Sequence, residues 1–224
     1  MTWTIDNSFD RAAKAVNPPS YPNEMLVKIL SSSNYSKIVN ELPPFAKTLE
    51  VGVFSGNNAR FFLENGFDLT GSEINLEMIE LCKINLERLN YPVPKLSVGS
   101  NTNLDSRDSI FDLLVSINTI HYSVGSEIQL SLKEFSRVLK PTGWAIIETP
   151  GQNHFAVSSA IRNSEFDYTW EAGGFRQKEH FGFFDSCDHF KKNLLEFFSE
   201  VEVCKRIEEY PDLTLEFWTA ICKK

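Results

Sequence analysis

Two acids and two glycines carry the most specific chemistry in this 224-residue chain. Glu50 stands two positions before Gly52, Gly56 follows four later, and Glu73 lies 21 residues beyond Gly52. The first three fall in Thr48–Asn58, TLEVGVFSGNN, which reads as a strand, a glycine turn and a helix start. Such a turn lets backbone approach a ligand closely and aims helix N–H groups at it. Glu73 ends the next apolar run, Leu69–Glu73, where a carboxylate can accept both ribose hydroxyls of a nucleoside. A dinucleotide fingerprint, GxGxxG, would need glycines at positions 54 and 57, which hold Phe54 and Asn57. The pattern acid-x-GxGxG is met by Glu50, Gly52 and Gly56, with only its middle glycine replaced. A tight strand–helix turn with no ligand is the competing reading.

Histidines are the other candidates for proton chemistry. His121 follows an apolar strand closely, so a site role and a structural hydrogen-bonding role both fit it. His154 opens an irregular stretch, and His180 sits in EHFGFFD, just before a helix. His189 lies inside that helix beside Phe190 and reads as surface or packing. No histidines and carboxylates fall at metal-ligand spacing, so no metal is expected. The cysteines, Cys82, Cys187, Cys204 and Cys222, are scattered without a CxxC pair, against zinc or a disulfide framework.

The elements that must position these groups alternate. Thr48–Val51, Leu69–Glu73, Lys95–Val98, Phe111–Ile117 and Trp144–Glu148 read as five strands. Between them, Ala59–Leu63 reads as a helix stopped at Gly66, and Asn75 caps a helix carrying Met78, Ile79, Cys82, Leu86 and Leu89. Ser126–Gln129 reads as a capping box opening a helix with Ile128, Leu132, Phe135 and Leu139 on one face. Lys140–Gly143 reads as a turn. Ser186 or Asp185 caps a helix with Phe190, Leu194, Phe197 and Phe198. Two β-like segments, Val201–Ile207 and Leu213–Cys222, lie too close for a parallel crossover, so one must run antiparallel. Asn23 can cap an earlier helix with Met25, Leu26, Ile29 and Leu30. The alternation predicts an α/β, Rossmann-like, doubly wound, mostly parallel seven-stranded sheet with one antiparallel strand near the C-terminus.

Composition narrows the partners. The formal charge is −8, from 22 basic and 30 acidic residues, which disfavours a protein that neutralises many phosphates, so no nucleic acid is expected. The longest apolar runs are far too short for a membrane span, and Met1–Lys14 has no apolar signal core, so a cytoplasmic protein is expected. Aromatics make up 12% of the chain, with 18 Phe. They concentrate in Gly151–Ser186, where Phe155, Phe166, Tyr168, Trp170, Phe175, Phe181, Phe183 and Phe184 stand. There the strand–helix rhythm stops, and the stretch reads as an aromatic-rich lid insertion after the fifth strand. Packing of the lid on the core is its bland reading; an apolar or planar acceptor pocket is the other.

The sequence resembles the class I S-adenosylmethionine-dependent methyltransferases, in particular the small-molecule (type 11/12-like) branch. LEVGVFSG, LTGSEIN, FDLLVSINTIHY and RVLKPTGWAIIET carry the resemblance, which covers roughly residues 42–149. It implies S-adenosyl-L-methionine as cofactor, with Gly52 and Gly56 passing beneath its methionine part, Glu50 orienting the amino group, Glu73 holding the ribose and Ile74 packing on adenine. Asn118 is implied beside the methyl end. Where Ser100 stands the family usually has an acid reading the adenine amine, so Ser100, Asn101 or Thr102 must serve. Phe54 departs too, and demands a side chain turned away from the cofactor or a reshaped loop. The resemblance places a histidine like His180 toward the acceptor, with His121 and His154 as further catalytic candidates. Tyr168 and Trp170 could hold a cationic amine by cation–π attraction, with Phe175 beside them, and the segment Trp3–Tyr21, carrying Phe9, Arg11 and Tyr21, closes over the cofactor.

These implications give one domain, 1–224: an N-terminal helical cap (1–44), a cofactor-binding core (45–149), a substrate lid (150–186), and a C-terminal helix with the last two strands (187–224). The expected activity is methyl transfer to O or N of a small-molecule acceptor, by a monomer or homodimer. An RNA or protein methyltransferase on the same fold is an alternative, disfavoured by the charge and by SINT (Ser116–Thr119) standing where an NPPY-like motif would be. A non-catalytic methyltransferase-like binding protein is the other alternative, motivated by Phe54 and Ser100.

Overall fold

The computed structural model describes residues 21–171 and 178–224. Phe9, Arg11 and Phe175 lie outside them. Two short helices, α1 (Glu24–Ser31) and α2 (Ser36–Glu41), precede β1 (Lys47–Val51), α3 (Asn57–Glu64), β2 (Asp68–Glu73), α4 (Leu76–Arg88), β3 (Lys95–Val98) and β4 (Phe111–Ile117). Then come α5 (Glu127–Val138), β5 (Leu139–Pro150), α6 (Phe155–Ser158), β6 (Ala160–Ser164), β7 (Asp167–Trp170), β8 (His180–Phe181), α7 (Cys187–Leu194), β9 (Glu200–Tyr210) and β10 (Leu213–Lys223).

Seven strands form one sheet in the order β3-β2-β1-β4-β5-β10-β9, and β10 alone runs against both of its neighbours. The expected α/β architecture, with one antiparallel strand near the C-terminus, is present. Strand order reverses between β1 and β4, the place where open parallel sheets bind ligands. The period-2 pattern of the central strands buries both faces. Leu114 of β4 and Ala145 and Ile147 of β5 join α5, α7 and Phe198 in one core. Leu113, Val115 and Ile146 join Leu26, Ile29, Phe62 and Leu86 in the other.

Local chemistry sets the helix starts. Asn23 accepts the N–H of Leu26, Asn75 that of Glu77 at 2.7 Å, and Ser186 that of His189 at 3.0 Å. Two expectations differ from the structure. Ser126 forms no capping bond; the α5 start is a turn in which Val124 donates to the Glu127 carboxylate at 3.4 Å. Lys140–Gly143 does not end a strand, because β5 runs through it as a bulge between the Phe111–Leu139 and Leu113–Trp144 pairs.

The stretch after β5 builds its own three-stranded antiparallel sheet, β6-β7-β8. It is fastened to the core in three ways. Phe166 and Phe184 are buried in the main core. Glu216 of β10, fully buried, accepts from Asn153 N–H at 2.9 Å and from Trp218 Nε1 at 2.8 Å. Gly182 donates to the His121 carbonyl at 2.8 Å and lies so close to it that a Cβ would sit 1.9 Å from the Ser123 carbonyl oxygen. Backbone on both sides leaves no room to give. Gly182→Ala is therefore expected to destabilise the protein by about 1–3 kcal/mol, read as a lower urea midpoint. An unchanged midpoint would show that the two backbones separate at no cost.

Candidate active site

Below the carboxyl ends of the parallel strands lies a cavity of about 740 Å³. Its walls come from the turns after β1 (Val51, Gly52, Phe54), β2 (Ser72–Ile74), β3 (Gly99–Thr102) and β4 (Ile117–Thr119), and from Tyr122, Ser123 and Glu127. Tyr21–Glu24 and the β9 side chains Arg206 and Glu208 complete it.

The β1 turn is held by close packing. Gly52 has φ +81°, and a Cβ on it would lie 2.3 Å from Thr119 Oγ1. Gly56 has φ +80° and faces Cys82. Phe54, where the pattern loses its glycine, takes φ +44°, so the loop keeps a left-handed residue there despite the side chain. That conformation costs a non-glycine residue of order 1–3 kcal/mol. The Phe54 N–H is recovered by Glu73 Oε2 at 3.2 Å, and Ile74 N–H donates to Glu73 Oε1 at 2.8 Å. A carboxylate has about four acceptor positions, so with donors from Phe54, Ile74 and Asn75 Glu73 still keeps acceptor capacity toward the cavity. Burial raises its pKa, against the backbone donors Phe54, Ile74 and Asn75.

A second, buried network was not legible in the sequence. Glu148 of β5 is fully buried. Its Oε1 accepts from Asn23 Nδ2 at 2.9 Å and Asn118 Nδ2 at 3.4 Å, and its Oε2 from Thr219 Oγ1 at 2.8 Å. Arg206 Nη2 lies 4.0 Å away. Asn23 N–H donates to Asn58 Oδ1 at 2.8 Å, and Asn58 in turn hydrogen-bonds Glu50. The segment before α1 is thereby tied to both the β1 acid and the β5 acid. The one signal in the sequence was Asn23 as a helix cap; its two other bonds span 35 and 125 residues.

The predicted site residues divide. Gly52, Phe54, Glu73, Ile74, Ser100, Asn101, Thr102, Asn118 and Tyr21 all line the cavity, while Glu50 lies buried behind it. Ser100 Oγ pairs with Thr102 Oγ1 at 3.0 Å, and Asn101 Nδ2 donates to the Thr119 carbonyl and to Ser123 Oγ. The three histidines stand elsewhere. His121 is buried between Tyr122, Phe181 and Phe183. His154 caps α6, accepting from Ala156 N–H at 3.0 Å, and burial lowers its pKa to about 4, so it stays neutral. His180 is half exposed and meets Asp167 Oδ1 at 2.6 Å. Tyr168 donates to Asp185 at 2.5 Å, and Trp170 packs edge-on to Phe155 and Phe181. None of these five lines the cavity. Tyr122 does, and it also packs on Phe181 at 5.7 Å, so it links the cavity wall to the small sheet.

Residues 49–147 match the family model of the methyltransferase domain. Over that core the chain is similar to the class I S-adenosylmethionine-dependent methyltransferases. A curated relative, an uncharacterized methyltransferase of Oceanobacillus iheyensis, is 27% identical over 132 residues. That match spans 58% of this chain and 58% of the relative's length. Among solved structures, a SAM-dependent methyltransferase of Methanosarcina mazei superposes with a TM-score of 0.64 at 20% identity, over 85% of this chain and 97% of the other. One from Thermotoga maritima, described as a possible histamine N-methyltransferase, gives 0.61 at 20% identity, over 97% and 99%. Among the described residues no helix is long and apolar enough to cross a membrane, and no cluster of His, Cys, Asp and Glu could hold a metal ion.

Glu50 carries a consequence for stability. Burial pushes its pKa up to about 8, with Asn58 opposing and Glu73 adding to the rise. The unfolded chain therefore loses this proton near the ordinary carboxylate value while the folded one keeps it. Stability from this group is full below that value and is lost as pH rises toward about 8. Glu50→Gln is expected to flatten that loss and leave the cofactor-free methyltransferase more stable than wild type near pH 8, by thermal melting. Equal melting curves for both proteins across this range would contradict it.

Proposed function

We propose that this protein transfers a methyl group from S-adenosylmethionine to O or N of a small-molecule acceptor, as one domain, in the cytoplasm. The observation that carries the reading is the placement of Glu73, Ile74, Asn101 and Asn118 around a single cavity at the strand-order reversal. Glu73 offers its remaining acceptor capacity to the ribose hydroxyls. Ile74 supplies an apolar surface for adenine. Asn101 spends its amide donors on Thr119 and Ser123, so its carbonyl oxygen takes the exocyclic amine that an acid reads in the family. Gly52 lets the turn after β1 close on Thr119 and take the left-handed conformation that passes beneath the methionine part, and Asn118 flanks the methyl end.

The cofactor supplies a sulfonium-activated methyl group, so the chain's own contribution is alignment. Holding reactants in line is worth an effective molarity of roughly 10⁵–10⁸ M. The walls of the cavity provide this through fixed groups: Asn118 is bonded to Glu148, and the Tyr21–Glu24 segment is latched through Asn23. The aromatics of residues 150–186 support the acceptor end through Tyr122. An RNA acceptor is opposed by the charge of −8.

Equilibrium binding of S-adenosylhomocysteine tests the reading. Glu73→Ala is expected to weaken it by at least about tenfold, or 1.4 kcal/mol, while His180→Ala leaves it unchanged. Equal affinity in Glu73→Ala and wild type would remove Glu73 from the ribose position.

A further inference from the structure

The cavity lining is acidic. Among the described residues Glu24, Glu73, Glu127 and Glu208 line it, against Arg206 as the single cation; Glu73 stands at the ribose end, and Glu24 is paired with Lys28 at 2.6 Å. Arg206 presents little free positive charge. Its Nη1 donates to Glu208, its Nη2 lies 4.0 Å from the buried Glu148, and its guanidinium stands 4.5 Å from the Phe217 ring. An anionic acceptor entering here would meet a guanidinium already flanked by two carboxylates. A cation entering the cavity would meet Glu127 from α5 and, on β9, Glu208, whose carboxylate already accepts from Arg206 and from Tyr210 Oη at 3.0 Å.

A second observation concerns proton transfer. No histidine, lysine or cysteine is among the described residues lining the cavity, whose ionisable groups are four carboxylates, the Arg206 guanidinium and the phenols of Tyr21 and Tyr122. A hydroxyl acceptor needs a base during the attack, and matched bases have pKa values near the working pH. An amine needs none in place, because its ammonium form gives its proton to water beforehand. The location agrees: Arg206 reaches the cavity beside Glu148, the same carboxylate that Asn118 holds. Glu208 is therefore at the Asn118 end and not at the Glu73 end.

Building on the cofactor reading above, we propose that the acceptor is a small-molecule amine, drawn in as a cation by Glu208 and Glu127 and methylated on nitrogen. The ammonium first loses a proton to water. The nitrogen lone pair then forms the N–C bond as the C–S bond breaks, and the bonding pair leaves with sulfur. The products are a neutral thioether and a methylated ammonium.

Benzylamine, benzyl alcohol and benzoate share one ring and differ in charge, so they serve as probes. Each is titrated at pH 7 into protein saturated with S-adenosylhomocysteine. Benzylamine is expected to bind at least about tenfold more tightly than benzoate. Glu208→Gln removes one carboxylate and releases Arg206, so benzylamine should weaken by roughly tenfold while benzoate tightens. Glu127→Gln removes a charge without releasing a cation; benzylamine should weaken by roughly threefold, and benzoate should move less than in Glu208→Gln. Wild-type discrimination needs no variant, so a misfolded mutant does not protect the proposal. Benzoate binding as tightly as benzylamine, no detectable benzylamine binding, or an unaltered order in a folded Glu208→Gln would each overturn the amine assignment. Failure of S-adenosylhomocysteine itself to bind would overturn the cofactor reading, and the proposal with it.

Discussion

A fully buried carboxyl group dictates much of this structure. Glu148 is fully buried at the end of the central sheet. An isolated buried charge is prohibitive, and even a paired one is tolerated only when its remaining lone pairs are satisfied. Here the donors come from three separate places, the segment before α1, the turn after β4 and strand β10, while Arg206 of β9 stands 4.0 Å away as a counter-charge. Burial raises the pKa of Glu148, while Thr219, Arg206 and Asn23 oppose that rise. Removing any one donor would leave the group under-satisfied. The N-terminal segment is thus held at the cavity by a polar requirement of the sheet, more than by its own packing.

The β1 turn shows a second constraint of the same kind, steric this time. Gly52 and Thr119 occupy one space, since a Cβ on the glycine would lie 2.3 Å from the threonine hydroxyl. The turns after β1 and β4 must therefore be read as a unit. Asn118, next to Thr119, has φ +52°, a conformation more open to asparagine than to most residues. Backbone that would relax elsewhere is fixed here from both sides. A cavity whose walls are set in this way can align a substrate without moving catalytic side chains into place.

The fold was readable because it is periodic. β3 and β4 run over the residues their apolar patterns give, Lys95–Val98 and Phe111–Ile117, since alternation and short apolar runs are local properties. Lys140–Gly143 misled because Pro and Gly mark a bulge as readily as a turn. Ser126 stands at the N-cap position as read, but it takes helical φ/ψ (−64°, −14°) instead of the extended conformation that aims a cap side chain at the first turn. Of the site, the acids and glycines around β1 and β2 were visible, because each follows its strand directly. Asn58, Glu148, Arg206 and Glu208 were not. Their partners lie far away in sequence, and an asparagine in a helix or an acid in a strand carries no local mark of what it will meet.

The aromatic surplus invites a different lesson. In sequence it marks Gly151–Ser186 as the place where an acceptor would be recognised. In the structure Tyr168, Phe181 and Phe183 form a cluster of their own, while Phe166 and Phe184 enter the main core. A three-stranded sheet with a two-residue edge strand, β8, cannot bury enough surface by itself. Its rings are needed to hold it to the domain, and rings used that way are not available to a ligand. The acceptor wall is left to polar residues from β9, α5 and the segment before α1. Specificity in such a wall is read through charge and hydrogen bonding. A site of that kind disfavours an anionic acceptor, because the Arg206 guanidinium in its wall is already paired with Glu208. An aromatic pocket would tolerate many planar rings; this wall discriminates by sign.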